Sequence, residues 1–294
     1  MSLQETIARS ISKATGVAFR IENHQEVAGG CINRSEVLSG AGRRYFVKMN
    51  AARRLVMFEA EAEGLAEITR SNSVRVPQPI CYGRHADQAY LVLEYLEIGG
   101  GSAASDEILG RQLATMHRHT KKQFGWTRDN TIGSTPQINT PETGWVTFYA
   151  EHRLRFQLEL ASEKGYAQGL QAVGEQLLDK LPAFFANYRP QPSLLHGDLW
   201  GGNHAALRDG TPVIFDPAPY YGDREADLAM TELFGGFGAR FYAAYREAWP
   251  LDAGYALRKD LYNLYHVLNH LNLFGGGYRA QARDLIERLL SETH

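Results

Sequence analysis

Apolar residues follow two different repeats along the chain, and the change from one to the other divides it. In the first third, short runs rich in β-branched and aromatic residues alternate with glycine-bearing turns. Runs near residues 17–28, 32–39, 43–50, 78–84 and 89–96 read as strands. A short helix near residues 3–14 leads into them, and a second, at about 55–70, interrupts them. The second is built of good helix formers. Its Phe58, Ala62 and Leu65 recur at helical spacing and face a core; Glu61 lies near that stripe, while Glu59 and Glu63 are more easily solvated. From about residue 105 onward helical spacing dominates, over 105–120, 145–163, 168–187, 223–250, 254–273 and 278–292. Strands first and helices after predict an α+β fold rather than a doubly wound sheet. Residues 97–101 end in three glycines and read as a flexible hinge. The predicted arrangement has two lobes joined near residues 94–101: a small β-rich N-lobe over 1–96 and a larger, mainly helical C-lobe over 97–294.

The one stretch of the helical part with further β signal also carries the chemistry. His196-Gly197-Asp198-Leu199-Trp200-Gly201-Gly202-Asn203 is followed by Val213-Ile214-Phe215-Asp216, an apolar run ending in a carboxylate. Asp198 and Asn203 stand five residues apart, the offset of base and metal-binding Asn in the kinase catalytic loop H-R-D-x-x-x-x-N. Phosphoryl transfer needs a carboxylate to receive the acceptor hydroxyl proton and oxygen ligands to hold Mg²⁺ against the phosphates. Asp198 suits the first task, and Asn203 and Asp216 the second. A surface Gly-Asp turn before a buried strand is the bland alternative. It explains H-G-D alone, but not the Asn and the strand-end Asp together.

A protein-kinase-like centre also needs a Lys on an N-terminal strand and a Glu on the next helix. Tyr45-Phe46-Val47-Lys48 supplies the Lys, and Glu61 is its expected partner, orienting Lys48 towards nucleotide phosphates. Ala28-Gly29-Gly30-Cys31-Ile32-Asn33 lies between two strands, where backbone N–H groups at Gly29 and Gly30 can cover phosphates. It is neither a Walker A loop nor a full G-x-G-x-x-G, and by itself reads as a hairpin turn. The strand entering the hinge offers Glu94, Tyr95 and Leu96 to an adenine edge, with an ordinary strand end as the alternative. Cys31 sits where backbone N–H groups favour a thiolate, which makes it a redox candidate; a small apolar filler is the competing role.

Longer segments carry a family resemblance over essentially the whole chain. They include Met57-Phe58-Glu59-Ala60-Glu61, Leu91-Val92-Leu93-Glu94-Tyr95-Leu96 and Phe124-Gly125-Trp126 with Asp129-Asn130-Thr131-Ile132-Gly133. They continue with Leu194-Leu195-His196-Gly197-Asp198-Leu199-Trp200, Phe215-Asp216-Pro217-Ala218, Tyr220-Tyr221-Gly222-Asp223-Arg224-Glu225 and Leu268-Asn269-His270-Leu271-Asn272. In these the chain resembles the fructosamine kinase (ketosamine 3-kinase) family, with wider kinship to aminoglycoside and choline kinases. The resemblance implies an ATP- and Mg²⁺-dependent kinase that phosphorylates the C3 hydroxyl of ketosamines. The 3-phosphate is unstable, so the sugar remnant leaves and the amine is regenerated. It implies Asp198 as proton acceptor, Asn203 and Asp216 as metal ligands, Lys48 on phosphate, and Glu94 to Leu96 on adenine. Gly197 replaces the Arg of protein kinases, and Asp216-Pro217-Ala218 replaces D-F-G, so phosphorylation-controlled switching is not expected. An aminoglycoside or other small-molecule kinase of the same fold is the alternative, and a nucleotide-binding pseudokinase regulator a more distant one.

Composition limits the partners. A hydrophobic content of 44%, a charged content of 22% and a net charge of −2 fit a globular protein and argue against a nucleic-acid binder driven by a basic surface. No apolar run reaches membrane-spanning length, and the first residues show no basic-then-apolar secretory pattern. Two cysteines, Cys31 and Cys81, suit a reducing, cytoplasmic setting. Nothing in the sequence separates monomer from dimer, or a free from a protein-bound ketosamine. On the acceptor side, Trp126, Asn130 and Thr131 lie in a long polar segment, residues 125–139, that either lines the site or packs down as a connector. Trp200, two residues after Asp198, can cover an apolar part of a sugar adduct. His196 is expected to fix its loop by hydrogen bonds, Asp223 to cap a helix, and Arg224 and Asp227 to pair internally. His266, Asn269 and His270 form a polar helix face beneath the pocket.

Overall fold

The computed structural model describes residues 2–27 and 32–293. Helix α1 (Leu3–Thr15) opens with a Ser2–Glu5 capping box and ends at Gly16 in the left-handed region. A five-stranded antiparallel sheet follows, built from β1 (Asn23–Val27), β2 (Arg34–Gly40), β3 (Arg43–Ala51), β4 (Pro79–His85) and β5 (Gln88–Glu94) in the order β1-β2-β3-β5-β4. Helix α2 (Leu55–Arg70) runs between β3 and β4. The two-residue period of a strand assigns the faces. Tyr45, Val47, Met49, Tyr90 and Val92 join Ile7 and Ile11 of α1 in one core. Ala89, Leu91 and Leu93 face the other way, onto Phe58 and Leu65 of α2. Lys48 stands between Val47 and Met49, so it shares the α2 face.

Beyond β5, α3 (Ala103–His117) leads to a hairpin of β6 (Asn130–Ile132) and β7 (Thr135–Gln137). Helices α4 (Trp145–Tyr149), α5 (Phe156–Glu163) and α6 (Gln171–Lys180) follow. The catalytic segment holds β8 (Ser193–Leu195), β9 (His204–Ala206), β10 (Pro212–Ile214) and β11 (Tyr220–Gly222), with β8 paired to β11 and β9 to β10. The chain ends in α7 (Glu225–Leu233), α8 (Ala239–Ala248), α9 (Tyr255–Phe274) and α10 (Gly277–Ser291). Helix α9 is buried on almost every side, with α5, α7 and α10 packed around it.

Several elements differ from the pattern-based expectation. The run at 17–28 forms a strand only over Asn23–Val27, because Phe19 leaves the sheet edge to pack on Tyr45. The helix expected over 145–163 is interrupted by a π-helical turn, Ala150–Arg155, which carries Arg153 into the interior over the Tyr220 and Phe148 rings. The expected 223–250 helix is two helices, broken where Gly235 and Gly236 take positive φ (72° and 106°). The expected 168–187 helix ends at Lys180 and continues as a 3₁₀ turn, Leu181–Phe185, with Pro182 at its start. Residues 125–139, read as a polar loop, contain the β6–β7 hairpin. No helix of the described residues is long and apolar enough to cross a membrane.

Candidate active site

Strand β8 delivers the chain to His196, and the next residues are held from below. The buried carboxylate of Asp227, on α7, accepts the backbone N–H groups of His196 (2.7 Å) and Gly197 (2.8 Å). His117 meets the same carboxylate at 3.1 Å. The fully buried His196 ring is satisfied on both sides. Its Nε2 lies 3.0 Å from the Phe215 carbonyl, and its Nδ1 accepts the Asp198 N–H at 3.2 Å. Burial pushes this imidazole below its usual value, which keeps it neutral in a fixed tautomer. Gly197 has φ 81°, and a Cβ there would fall 2.0 Å from the Ala218 carbonyl oxygen. Only glycine fits this crossing of the catalytic loop and the segment after Asp216.

Asp198 emerges half-buried from this loop. Asn203 Nδ2 donates to the Asp198 carbonyl (2.9 Å) and approaches its Oδ2 (3.4 Å), which leaves the Asn203 Oδ1 as a free acceptor. Desolvation, with the charges of Asp216 and Asp227, pushes the Asp198 carboxyl up to about 7. Asn203 reaches this position through a 3₁₀ turn, Gly201–Asn203, whose glycines allow close contact. Gly201 abuts Gly235 and Gly236, and Gly202 makes room for the Trp200 ring. That ring remains 41% exposed beside the catalytic loop.

From the other lobe, Lys48 Nζ lies 2.5 Å from Glu61 Oε1 and 2.7 Å from Asp216 Oδ1. Burial would lower the Lys48 ammonium, but the two carboxylates outweigh it and hold it above its usual value. Asp216 follows β10 with φ 58°, in the left-handed region, and its side chain is 47% exposed. Lys48, Glu61, Asp216, Asp198 and Asn203 thus come from five separate elements or loops into one cleft. The two residues expected to hold a metal offer one carboxylate, that of Asp216, and one amide oxygen, that of Asn203. No cluster of three or more His, Cys, Asp or Glu able to hold a metal occurs among the described residues.

The remaining sequence candidates are placed differently. Glu94 pairs through its side chain with Arg75 and accepts the Gln78 N–H at 3.2 Å, and its own N–H donates to the Gln78 carbonyl at 2.8 Å. Tyr95 packs under Arg44 at 4.2 Å, and the Leu96 carbonyl accepts the Ile98 N–H at 3.1 Å. A cavity of about 220 Å³ opens beside this segment, between Gly99, Asp106 and His204. Gly29, Gly30 and Cys31 lie outside the described residues; next to them along the chain, the Ile32 carbonyl accepts from Asn50 Nδ2 at 3.0 Å. The acceptor-side expectation for residues 125–139 needs correction. Trp126 is 5% exposed within the core, and Asn130 is buried with its amide on the Pro219 carbonyl. Thr131 is half-buried in β6, opposite Pro136. A long polar segment here packs down because its amides serve neighbouring carbonyls.

Asp223 accepts the Glu225 N–H at 3.1 Å near the start of α7, and also the hydroxyls of Tyr188 and Tyr262. Arg224 and Asp227 do not pair. Arg224 donates to the Trp249 and Pro250 carbonyls, while Asp227 serves the catalytic loop and His117. His266 and Asn269 are buried on α9, and the His270 ring stacks on Phe234 at 4.9 Å. The sequence reading missed Asp227 as the support of the loop, His117 behind it, and Gln137. A carboxylate in the first turn of a helix is ordinary, and no local signal marked it out.

Known proteins share both sequence and architecture with this chain. The family model described as fructosamine kinase matches residues 3–292. A Synechocystis sp. protein named "Probable ketoamine kinase" is 50% identical over 97% of this chain and 96% of its own length. The Arabidopsis thaliana protein named protein-ribulosamine 3-kinase, chloroplastic, is 44% identical over 94% of this chain and 85% of its own. A crystal structure of a candidate fructosamine-3-kinase from Haemophilus somnus superposes with a TM-score of 0.90 at 29% identity, covering 98% of this chain and 100% of that one. Aminoglycoside phosphotransferase APH(4)-Ia shares the fold alone, with a TM-score of 0.61 at 14% identity over 99% of both chains. The chain is a member of the fructosamine kinase family.

Proposed function

We propose that this protein is an ATP-dependent kinase that phosphorylates the C3 hydroxyl of ketosamines, which leads to loss of the sugar remnant and recovery of the amine. The observation that carries the reading is the meeting of Lys48 with Glu61 and, 168 residues away, with Asp216, in the cleft that also holds Asp198. Lys48 is the phosphate contact and Glu61 its orienting partner. Asp198 receives the proton of the acceptor hydroxyl, and its carboxyl near neutrality suits that task. Asn203 and Asp216 offer the hard oxygen donors that Mg²⁺ takes from a protein when phosphates and water complete its shell. Bound there, Mg²⁺ supplies neutralisation of the phosphate charge that develops during transfer. Residues 1–96 act as the nucleotide lobe, with the backbone of Glu94 to Leu96 as the adenine edge. Residues 97–294 act as the catalytic and acceptor lobe.

Trp200 is the acceptor-side residue we retain, because its exposed ring stands two residues from Asp198. Burial argues against direct contact for Trp126 and Asn130. The choice of ketosamine and of C3 rests on family membership and on the name of the Arabidopsis relative. A cytoplasmic setting, with ATP and Mg²⁺ at hand, suits the reaction. Incubation with ATP, Mg²⁺ and ribulosyl- or fructosyl-lysine should consume ATP and release free lysine. Turnover of an aminoglycoside or simple sugar, with none on any ketosamine, would move the assignment to another small-molecule kinase of this fold.

A further inference from the structure

A chain of buried amides runs under the segment that follows Asp216. Asn130 Nδ2 donates to the Pro219 carbonyl at 2.8 Å, and Gln137 Nε2 donates to the Ala218 carbonyl at 3.0 Å. Gln137 also donates to Asn130 Oδ1 (2.8 Å), as does Asn139 (2.9 Å). Behind them Arg153 donates to Asn139 Oδ1 at 2.7 Å, and the Tyr265 hydroxyl donates to Gln137 Oε1 at 2.8 Å. Gln137 and Asn139 are each 1% exposed. Every member of such a buried network must be satisfied or it destabilises the fold, and an apolar core of the same shape would hold the hairpin equally well.

The recipient of these bonds is unusual. Asp216 holds a left-handed backbone, which is strained for a side-chain-bearing residue. Pro217 and Pro219 have no N–H, so residues 217–219 offer three carbonyls and a single N–H, that of Ala218, which is spent on the His196 carbonyl (2.9 Å). The segment cannot hold itself by its own donors. Gln137 and Asn130 supply them from outside. The same strap reaches the helix that bears Glu61, through Arg128 on Glu63 at 2.7 Å.

We infer that Gln137 and Asn130 are positioning residues for Asp216: by holding the carbonyls of Ala218 and Pro219 they keep its carboxylate aimed at Lys48 and at the divalent cation. This rests on the reading of Asp216 as a metal ligand given above. The side chain of Asp216 is half exposed, with Lys48 as its hydrogen-bond partner, so its backbone must set its position.

The test uses the full chain with Gln137→Met, which keeps length and removes the donors, and Asn130→Leu as a second variant on the neighbouring carbonyl. Mn²⁺ affinity in the presence of a non-hydrolysable ATP analogue is read from the electron paramagnetic resonance signal of free Mn²⁺. Folding is checked by thermal melting. At least one folded variant should bind Mn²⁺ about 5- to 50-fold more weakly, the range expected when a buried carbonyl loses its donor. Its Mg²⁺ requirement for turnover should rise while the acceptor KM changes less than about twofold, because Trp200 is untouched. Wild-type Mn²⁺ affinity in every variant that folds overturns the inference. Failure of both variants to fold also overturns it, and leaves the network a purely structural part. Asp216→Ala separates the two readings. If it leaves Mn²⁺ affinity unchanged, the metal assignment falls whatever Gln137 does. If it weakens binding and no folded variant of Gln137 or Asn130 does, only the positioning role falls.

Discussion

Asp198 is placed by backbone bonds and held near neutrality by its surroundings. Its carboxyl, pushed up to about 7 by desolvation and two nearby carboxylates, fits the proton-acceptor role proposed for it. Asp198→Asn keeps the shape and removes the base. We expect transfer to fall by about 10² to 10⁴, with nucleotide affinity within a few-fold of wild type. Steady-state turnover and calorimetric nucleotide titration check this. Near-normal turnover of the folded variant would remove Asp198 from the mechanism. At this scale the sequence was informative where residues are neighbours. The offset from Asp198 to Asn203 is one turn of chain, and the 2.9 Å bond between them follows from it. It was uninformative where a polar segment could face either way: Trp126 and Asn130 carry the chemistry of a sugar site, yet packing puts them inside.

Helix α7 is the element that supports the loop. Burial alone would raise the Asp227 carboxyl, but the hydrogen bonds it takes from His117 and from the Gly197 N–H hold it below its usual value. Asp227→Ala would leave two buried N–H groups and the Nε2 of His117 without a partner, while Nδ1 of His117 keeps the Tyr245 hydroxyl at 2.8 Å. The loss should be about 3–5 kcal/mol of stability, with activity lost in step, measured by urea unfolding. A loss below about 1 kcal/mol would show that the loop stands without this support. On α9, His266 gives a dependence on pH. Burial, with His270 and Arg153 nearby, pushes its imidazole down to about 3. The unfolded chain takes up this proton as pH falls below about 6.5, while the folded chain does not until about 3. The stability that His266 contributes is therefore fully present above about 6.5 and declines steadily as pH falls through that window. His266→Gln should flatten this acid limb. Unfolding midpoints at several pH values between neutral and mildly acidic will show whether the difference from wild type shrinks as predicted; parallel curves for the two proteins would contradict it.

Across the whole molecule, the cleft depends on two lobes meeting with little room to spare. A Cβ on Gly64 of α2 would lie 2.6 Å from Pro219 Cγ. The helix that carries Glu61 thus rests directly on the segment that follows Asp216. Gly64→Val should push the two apart and lower turnover roughly 10- to 100-fold, as small misplacements of reacting groups do. Turnover and melting temperature measured together separate this from simple unfolding, and unchanged turnover in a folded variant would show that the contact is not needed. The sequence by itself determined the local parts: the β-prone run that ends in Lys48, the stripe on α2 near which Glu61 lies, the order of a β-rich part before a helical one, and the spacing from Asp198 to Asn203. Each is set by the repeat of a strand or helix, or by a turn of a few residues, so neighbours along the chain suffice. Only the tertiary structure decided the long-range partners: Asp216 for Lys48 across 168 residues, Asp227 for a loop some 30 residues earlier, and Gln137 for a carbonyl 81 residues on. A buried polar group must find a partner, but its identity is set by which backbone happens to pass within about 3 Å once the cores have packed.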